Sequence, residues 1–182
     1  MGKINIIVTG PPRSGKSTLI SKIIEELHKK GLKTGGISTP EVRERGVRIG
    51  FKIIDIASGN EAWMAHVNIK SPYRVSKYGV DLNAIESVGV NAILNAIESA
   101  DVIIIDEIGK MELFSKEFQN AVSRALDSSK LVIGTMGLKI KHPFIEFIKK
   151  RKDVLIYYLE RGRLNQVYTE IRKKVFEALN VV

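Results

Sequence analysis

Nine consecutive residues near the start of the chain have the types and spacing needed to bind phosphate. The first eight fit the pattern G-x-x-x-x-G-K-[ST], in which glycines let backbone N–H groups come close to phosphate oxygens. The lysine of this pattern reaches the terminal phosphates, and the next hydroxyl helps to hold Mg²⁺. The run predicts a nucleotide-binding loop in which Lys16 is catalytic and Ser17 is a magnesium ligand. Its members are Gly10, Pro11, Pro12, Arg13, Ser14, Gly15, Lys16, Ser17 and Thr18.

Both flanks of this run agree with a phosphate loop. The apolar residues 4–8 before it are typical of a buried strand, and apolar residues after it recur at helical spacing. A strand that turns through glycines into a helix aims backbone N–H groups and the positive end of the helix dipole at an anion. A chance match in a surface turn is the alternative, and it explains neither flank. The helical positions are Leu19, Ile20, Ile23, Ile24 and Leu27.

A second apolar stretch, residues 101–105, ends in two carboxylates, Asp106 and Glu107. Beside a phosphate loop, an acidic strand end is the expected other half of a nucleotide site. Asp106 is then predicted to hold Mg²⁺ together with Ser17, and Glu107 to orient or deprotonate an attacking water. Acidic residues that simply end a strand at the surface are the alternative. The loop at residues 10–18 favours the functional interpretation.

A cation beside the terminal phosphate would help to neutralise the charge that develops during phosphoryl transfer. Arg43 is the candidate for this catalytic role, because it is expected in a loop after the second strand, on a route to the site. Arg48 and Arg13 are weaker candidates. A solvated surface charge is the ordinary explanation for each of these arginines in a basic protein.

The composition describes a soluble globular protein. The 182 residues predict one domain spanning 1–182, with 44% hydrophobic and 27% charged residues. No apolar stretch approaches the roughly 20 residues that cross a bilayer, and the N-terminus lacks a signal-peptide layout, so no membrane partner is expected. The absence of Cys is compatible with a reducing, cytoplasmic setting. The net charge of +9 suits anionic partners such as nucleotides.

The remaining patterns position these residues. Strands alternate with helices, which predicts a three-layer α/β/α fold with a mostly parallel sheet. Residues 46–68 predict an antiparallel hairpin that is inserted into the sheet or lies along its edge. Residues 83–100 predict a helix that is broken at Gly89. In parallel sheets ligands bind beyond the carboxyl ends of the strands, where both the loop and the Asp106–Glu107 pair are expected.

With both motifs in place, the chain resembles the THEP1 family of nucleoside-triphosphatases, which are small P-loop NTPases. The resemblance covers nearly the whole chain and depends most on the string that contains the two carboxylates. The matching segments beyond the phosphate loop are 39–43 (TPEVR), 48–51 (RIGF), 78–80 (YGV), 105–113 (IDEIGKMEL), Thr135 and His142-Pro143.

The resemblance implies slow, Mg²⁺-dependent hydrolysis of ATP, GTP and other nucleoside triphosphates to the diphosphate. It also implies nucleotide contacts from the loop and from a second stretch. The chain departs from the family pattern at Gly162-Arg163, where the usual Asn of an Asn-Arg pair is missing, and at residues 136–141. The second stretch is Val102, Ile103, Ile104, Ile105, Asp106, Glu107, Ile108 and Gly109.

Two other functions share the loop and the Mg²⁺. A nucleotide or small-molecule kinase needs an acceptor site and usually an arginine-bearing lid, and no separate lid segment is evident. A nucleic-acid-binding ATPase is suggested by basic residues in the last third, but no stacking platform accompanies them. Nucleic acid is therefore not the favoured partner. A nucleotide-gated binding module with little turnover is a third alternative, and the oligomeric state is not defined by the sequence.

Overall fold

One mixed sheet forms the centre of the molecule. The computed structural model describes residues 3–181, and within them ten strands join in this sheet. The strands are β1 Asn5–Gly10, β2 Thr34–Ser38, β3 Glu41–Glu44, β4 Val47–Asp55, β5 Glu61–His66, β6 Arg74–Val75, β7 Tyr78–Val80, β8 Val102–Ile108, β9 Leu131–Gly137 and β10 Val154–Tyr158. Their spatial order is β10-β1-β9-β8-β2-β4-β5-β7-β6, and β3 pairs with β4.

The first five strands of this order run parallel, and helices cover both of their faces. Alternate residues of β8 enter opposite cores: Ile103 and Ile105 pack on one side, and Val102 and Ile104 on the other. A strand covered on both faces needs a continuous apolar run, which β8 has. The predicted three-layer α/β/α fold is therefore confirmed. The helices are α1 Lys16–Lys29, α2 Leu82–Ala84, α3 Asn91–Ser99, α4 Lys116–Asp127, α5 Pro143–Lys150 and α6 Leu164–Ala178.

The antiparallel part of the sheet is larger than the single hairpin that the sequence predicted. β4 and β5 form that hairpin, and β4 joins it to β2 in the parallel part. β3 pairs with β4 as well, so the expectation that Arg43 lies in a loop was wrong. The stretch 41–44 is largely exposed and charged, and it is a strand because β4 offers it backbone partners, not because of its own pattern.

The expected helix break at Gly89 was also wrong. α2 continues through a π-helical segment, Ile85–Val90, directly into α3. A Cβ at Gly89 would lie 2.5 Å from Cδ1 of the buried Ile53. Gly89 therefore lets this helical region pack closely on the sheet, and the wider π turn keeps the chain helical at that point.

The parallel strands bring the two motifs to one edge. The phosphate loop follows β1, and Asp106 lies near the end of β8, two strands away across β9. β2 flanks β8 on the other side, with Ser38 in register with Asp106. The segment that follows β2 therefore reaches the same edge.

Gly36 in β2 is needed for this close pairing, which we expect a single methyl group to disrupt. Its φ is +115°, and a Cβ there would lie 2.0 Å from the Ile104 carbonyl oxygen of β8. Gly36→Ala is expected to lower the free energy of unfolding by about 3 kcal/mol or more. Urea denaturation measures the change. Gly46→Ala is the matched control, because Gly46 also has a positive φ (+79°) but no atom within 4 Å of its Cβ position. Equal losses in both variants would contradict the close-packing argument.

Candidate nucleotide site

The loop between β1 and α1 is shaped to receive an anion. Gly15, with φ +102°, is the N-cap of α1 and supplies no side-chain cap, so backbone N–H groups at the helix start are left for a ligand. Arg13 also has a positive φ, +60°. A Cβ on Gly10 would lie 2.3 Å from the Leu159 carbonyl oxygen, so this glycine lets the loop rest against the chain that follows β10.

Lys16 lies inside this loop. Its Nζ donates hydrogen bonds to the carbonyl oxygens of Gly10 (2.9 Å) and Pro11 (3.1 Å). These bonds hold the ammonium group over the loop. A phosphate oxygen is a stronger acceptor than a neutral carbonyl, because both partners of that bond are charged.

Asp106 faces Ser17 across the site. Ser17 Oγ donates to Asp106 Oδ1 at 3.3 Å, and Thr135 Oγ1 donates to the same oxygen at 2.6 Å. Burial raises the pKa of the Asp106 carboxyl, while the hydrogen bonds from Thr135 and Ser17 and the charge of Lys16 oppose this shift. The structure thus brings together both predicted magnesium ligands, on β8 and α1, with Thr135 of β9 as an additional hydroxyl.

Glu107 is held by the segment after β2. Thr39 N donates to the Asp106 carbonyl oxygen (2.7 Å), and Glu107 N donates to Thr39 Oγ1 (3.1 Å). Burial, followed by the charge of Asp106, raises the pKa of the Glu107 carboxyl, and Lys16 opposes the shift. Glu107 therefore lies within range of the charges of Lys16 and Asp106, and Thr39 fixes the backbone of the carboxylate pair.

The first half of β8 has no exposed side chain for the predicted nucleotide contacts. The side chains of residues 102–105 are fully buried in the two cores, as is Ile108. These residues position the end of the strand. From this stretch, Asp106, Glu107 and Gly109 stay as predicted contacts.

Glu112 is a site residue that the sequence reasoning did not select. It begins a 3₁₀ turn, Glu112–Phe114, and is only 2% exposed. Burial, with the nearby charge of Glu107, raises the pKa of its carboxyl to about 8. The available signal was its place in an apolar sequence, between Met111 and Leu113. Such a site disfavours a free carboxylate.

The candidate arginines have different surroundings. Arg43 Nε donates to Glu41 Oε1 (2.7 Å) and its Nη1 donates to the Gly46 carbonyl oxygen (2.9 Å). Arg48 donates to Tyr78 Oη (2.9 Å) and to Glu41 (3.3 Å). Arg13 is exposed in the phosphate loop. Arg48 is the one of these three that lines the cavity beside Glu107.

A cavity of about 540 Å³ opens beside the loop and the carboxylates. Its walls come from both parts of the sheet, and they combine apolar side chains with cations and carboxyl groups. The lining residues are Pro11, Pro12, Thr39, Arg48, Phe51, Met64, Val75, Glu107, Lys110, Met111, Glu112, Gly137, Leu138, Lys139 and Ile140. A larger cavity of about 590 Å³, which includes His28 and Ser99, lies away from these groups and contains none of the predicted site residues.

The phosphate loop before α1 and the acidic end of β8 define the chain as a P-loop NTPase. A family model described as NTPase matches residues 5–172. The nucleoside-triphosphatase THEP1 of Thermotoga sp. (strain RQ2) is 45% identical over 168 residues, which are 92% of this chain and 93% of that protein. THEP1 of Thermofilum pendens is 47% identical over 86% of this chain and 87% of its own length. The chain belongs to the THEP1 family of nucleoside-triphosphatases.

Solved structures agree with this assignment. The crystal structure of THEP1 from Aquifex aeolicus has a TM-score of 0.82 and 33% identity, and the match covers 92% of this chain and 96% of that one. The solution structure of a human cancer-related nucleoside triphosphatase also has a TM-score of 0.82, with 35% identity over 96% of this chain and 98% of that one. The predicted family, fold and enzyme class are thus confirmed. In residues 3–181, no helix is long and apolar enough to cross a membrane.

The buried Glu112 predicts a pH dependence of stability. Its pKa is about 8 in the folded protein, above its ordinary value of 4.5, so the folded state binds the proton more tightly than the unfolded state. The stabilisation is complete below about pH 4.5 and is lost as the pH rises to about 8, on the order of 1.4 kcal/mol per pKa unit. Denaturation at several pH values measures this loss. Glu112→Gln has no proton to lose and is expected to show a flatter profile, and identical slopes would contradict the prediction.

Proposed function

We propose that the protein hydrolyses several nucleoside triphosphates, ATP and GTP among them, to the diphosphate and phosphate in a Mg²⁺-dependent reaction. The observation that carries this proposal is the contact between Ser17 and Asp106 across the phosphate loop, with Glu107 beside it. A nucleotide-gated binding module would need only Ser17 and Asp106. Glu107 adds a general base, which hydrolysis requires. A cytoplasmic location stays a prediction.

The residues present fit a magnesium ion. Mg²⁺ prefers oxygen ligands and is usually held by one or two protein groups together with waters and substrate phosphates. Ser17 and Asp106 offer a hydroxyl and a carboxylate, and Thr135 orients the carboxylate through its own hydroxyl. Within residues 3–181 no group of three or more His, Asp or Glu side chains forms a metal cage, which agrees with a site that the nucleotide completes. Bound there, Mg²⁺ neutralises the developing charge on the phosphates.

The side chains of this site then have distinct tasks. Lys16 exchanges its two loop carbonyls for a phosphate oxygen, and the N–H groups at the start of α1 hold the phosphates in place. Glu107 orients a water molecule and accepts its proton as the water oxygen bonds to the terminal phosphorus. The bond from that phosphorus to the bridging oxygen breaks, and the diphosphate leaves. A carboxylate with a raised pKa is a better base at neutral pH than an ordinary one.

The expected tolerance for different nucleobases follows from the surroundings of the phosphate loop on its β10 side. Since Ser17 and Asp106 hold the terminal phosphates on the β8 side, we place the nucleoside toward β10. Arg161 there donates to the Pro12 carbonyl oxygen (3.2 Å), and Leu164 lies against Gly15. Arg161 is exposed, and an open surface of this kind supports loose contacts with the base.

The occupied arginines support slow turnover. Glu41 pairs with both Arg43 and Arg48, so each guanidinium already has a carboxylate partner. In the catalytic role that the sequence suggested, Arg43 would exchange its contacts with Glu41 and Gly46 for the terminal phosphate. That role stays a prediction. An additional cation near the terminal phosphate can raise the rate of such reactions by 10³ or more, as a rough guide.

The basic residues of the last third do not favour nucleic acid as a partner. Arg151 donates to Asp127 (2.8 Å) and to Asp153 (2.7 Å), and Arg172 pairs with Glu26 (3.2 Å). Ion pairs of this kind neutralise part of the basic surface locally, and they leave fewer free cations to contact a phosphate backbone.

Two substitutions separate phosphate binding from hydrolysis. Lys16→Ala is expected to weaken Mg²⁺–nucleotide binding and to lower kcat/KM by about 100-fold or more, because it removes the cation of the loop. Glu107→Gln is expected to keep nucleotide affinity within about twofold while kcat falls by about 100-fold. Calorimetry and phosphate release measure the two quantities. Lys29→Ala, at the far end of α1, is the matched control for loss of one charge, and unchanged hydrolysis in Glu107→Gln would remove Glu107 as the base.

The cavity favours phosphoryl transfer to an acceptor as a second candidate function. Hydrolysis needs room for one water beside Glu107, about 30 Å³, whereas this cavity is many times larger and has apolar walls. A hydroxyl-bearing acceptor in the cavity would place its oxygen where the water otherwise lies. Glu107 would accept the proton in both reactions.

This second candidate is tested by following the terminal phosphate of labelled ATP in the presence of nucleosides and nucleoside monophosphates. For a kinase, the label is expected in the acceptor, with faster ATP consumption. For a hydrolase, all of the label is expected in inorganic phosphate whichever compound is added. The second result, across the panel, would exclude these acceptors.

A further inference from the structure

Glu112 is a buried carboxyl group that the proposed hydrolysis does not use. It is 2% exposed, and no ion pair to it occurs among the salt bridges of residues 3–181. Its neighbours Met111 and Leu113 are also buried. An unpaired buried carboxylate is costly, whereas a protonated carboxyl can be satisfied by hydrogen bonds.

The position of Glu112 relative to Glu107 is informative. Both carboxyl groups lie close to the position that a side chain of residue 109 would occupy. The point where a Gly109 Cβ would lie is 2.7 Å from Glu112 Oε2 and 3.1 Å from Glu107 Oε1. Gly109 therefore leaves room for both carboxyl groups on the same side of its backbone. The Thr39 hydroxyl contacts the Glu112 carboxyl as well, and it accepts a hydrogen bond from Glu107 N.

We propose that Glu112 is a positioning residue, whose protonated carboxyl donates a hydrogen bond to the Glu107 carboxylate and holds it toward Lys16 and the phosphate loop. This assignment rests on the proposed role of Glu107 in hydrolysis. Glu112 itself does not touch the reacting atoms. The bond leaves the second Glu107 oxygen to orient water, and it limits the rotation of a side chain that otherwise has three free torsions.

The experiment compares three proteins: the wild type, Glu112→Leu and Glu112→Gln. Leucine has a similar volume but no donor, so kcat is expected to fall by about 10- to 100-fold while KM and the Kd of a Mg²⁺–nucleotide stay within about twofold. Glutamine is neutral and keeps an N–H donor for Glu107, so it is expected to retain kcat within about threefold. Thermal unfolding of each variant shows whether it is folded.

Two results would overturn the positioning role. One is a wild-type kcat in folded Glu112→Leu, and the other is an equal loss of kcat in Glu112→Gln. A merely structural role predicts that both variants lose activity in proportion to stability, without rescue by glutamine. If Glu112→Leu does not fold, Glu112→Ala and the Glu112→Gln comparison still separate the two explanations.

Side-chain ¹³C NMR of the ¹³C-glutamate-labelled protein is a readout that does not require turnover. A protonated Glu112 carboxyl is expected at neutral pH, with a signal that disappears in Glu112→Gln and shifts in Glu107→Gln. An ionised Glu112, or a signal insensitive to Glu107→Gln, would overturn the proposal. A wild-type protein that hydrolyses no nucleotide but gives the expected NMR result would refute the proposed function and leave the Glu112–Glu107 hydrogen bond established.

Discussion

The structure depends on how three carboxyl groups are accommodated at one buried edge of the sheet. Each of them meets the cost of burial in a different way. Asp106 accepts hydrogen bonds from the hydroxyls of Ser17 and Thr135, Glu107 lies near the ammonium group of Lys16, and the pKa of Glu112 is raised to about 8, which favours its neutral form. Lowered solvation strengthens the interaction of the remaining charges with a cation or a phosphate. The same burial that raises their pKa values therefore suits this edge to the divalent ion and the anionic substrate of the proposed reaction.

Rigid neighbouring strands hold this edge in place. β8 is anchored by fully buried isoleucines on both faces, and it is paired on either side with β2 and β9. Gly36 brings β2 close to β8, so that Thr39 at its end can reach the backbone of Asp106 and Glu107. Thr135 approaches from β9. Groups carried by paired strands keep their distances better than groups on free loops, which suits a reaction that depends on positioning.

Local sequence patterns were sufficient for the parts of the site that local geometry determines. The phosphate loop was predictable because its glycines and Lys16 act through nearby backbone, and Asp106 because an apolar strand ends there. Arg43 was misplaced because its strand exists only through pairing with β4, which the sequence of 41–44 does not encode. Glu112 was missed because its importance comes from burial and from a neighbour five positions away. Both errors have one cause, which is that tertiary contacts override local preference.

In the proposed reaction, the two parts of the sheet contribute differently to the choice of nucleophile. The parallel part of the sheet positions Lys16, at the start of α1 after β1, and Asp106 and Glu107 near the end of β8, which are the residues of the proposed phosphate binding and hydrolysis. The antiparallel strands supply Arg48, Phe51 and other walls of the cavity in front of Glu107. A water molecule does not need contacts with these cavity walls to reach Glu107, whereas a larger nucleophile must fit between them. Substitutions in the antiparallel part should therefore change which molecule reaches the terminal phosphorus, while nucleotide binding stays with the parallel part.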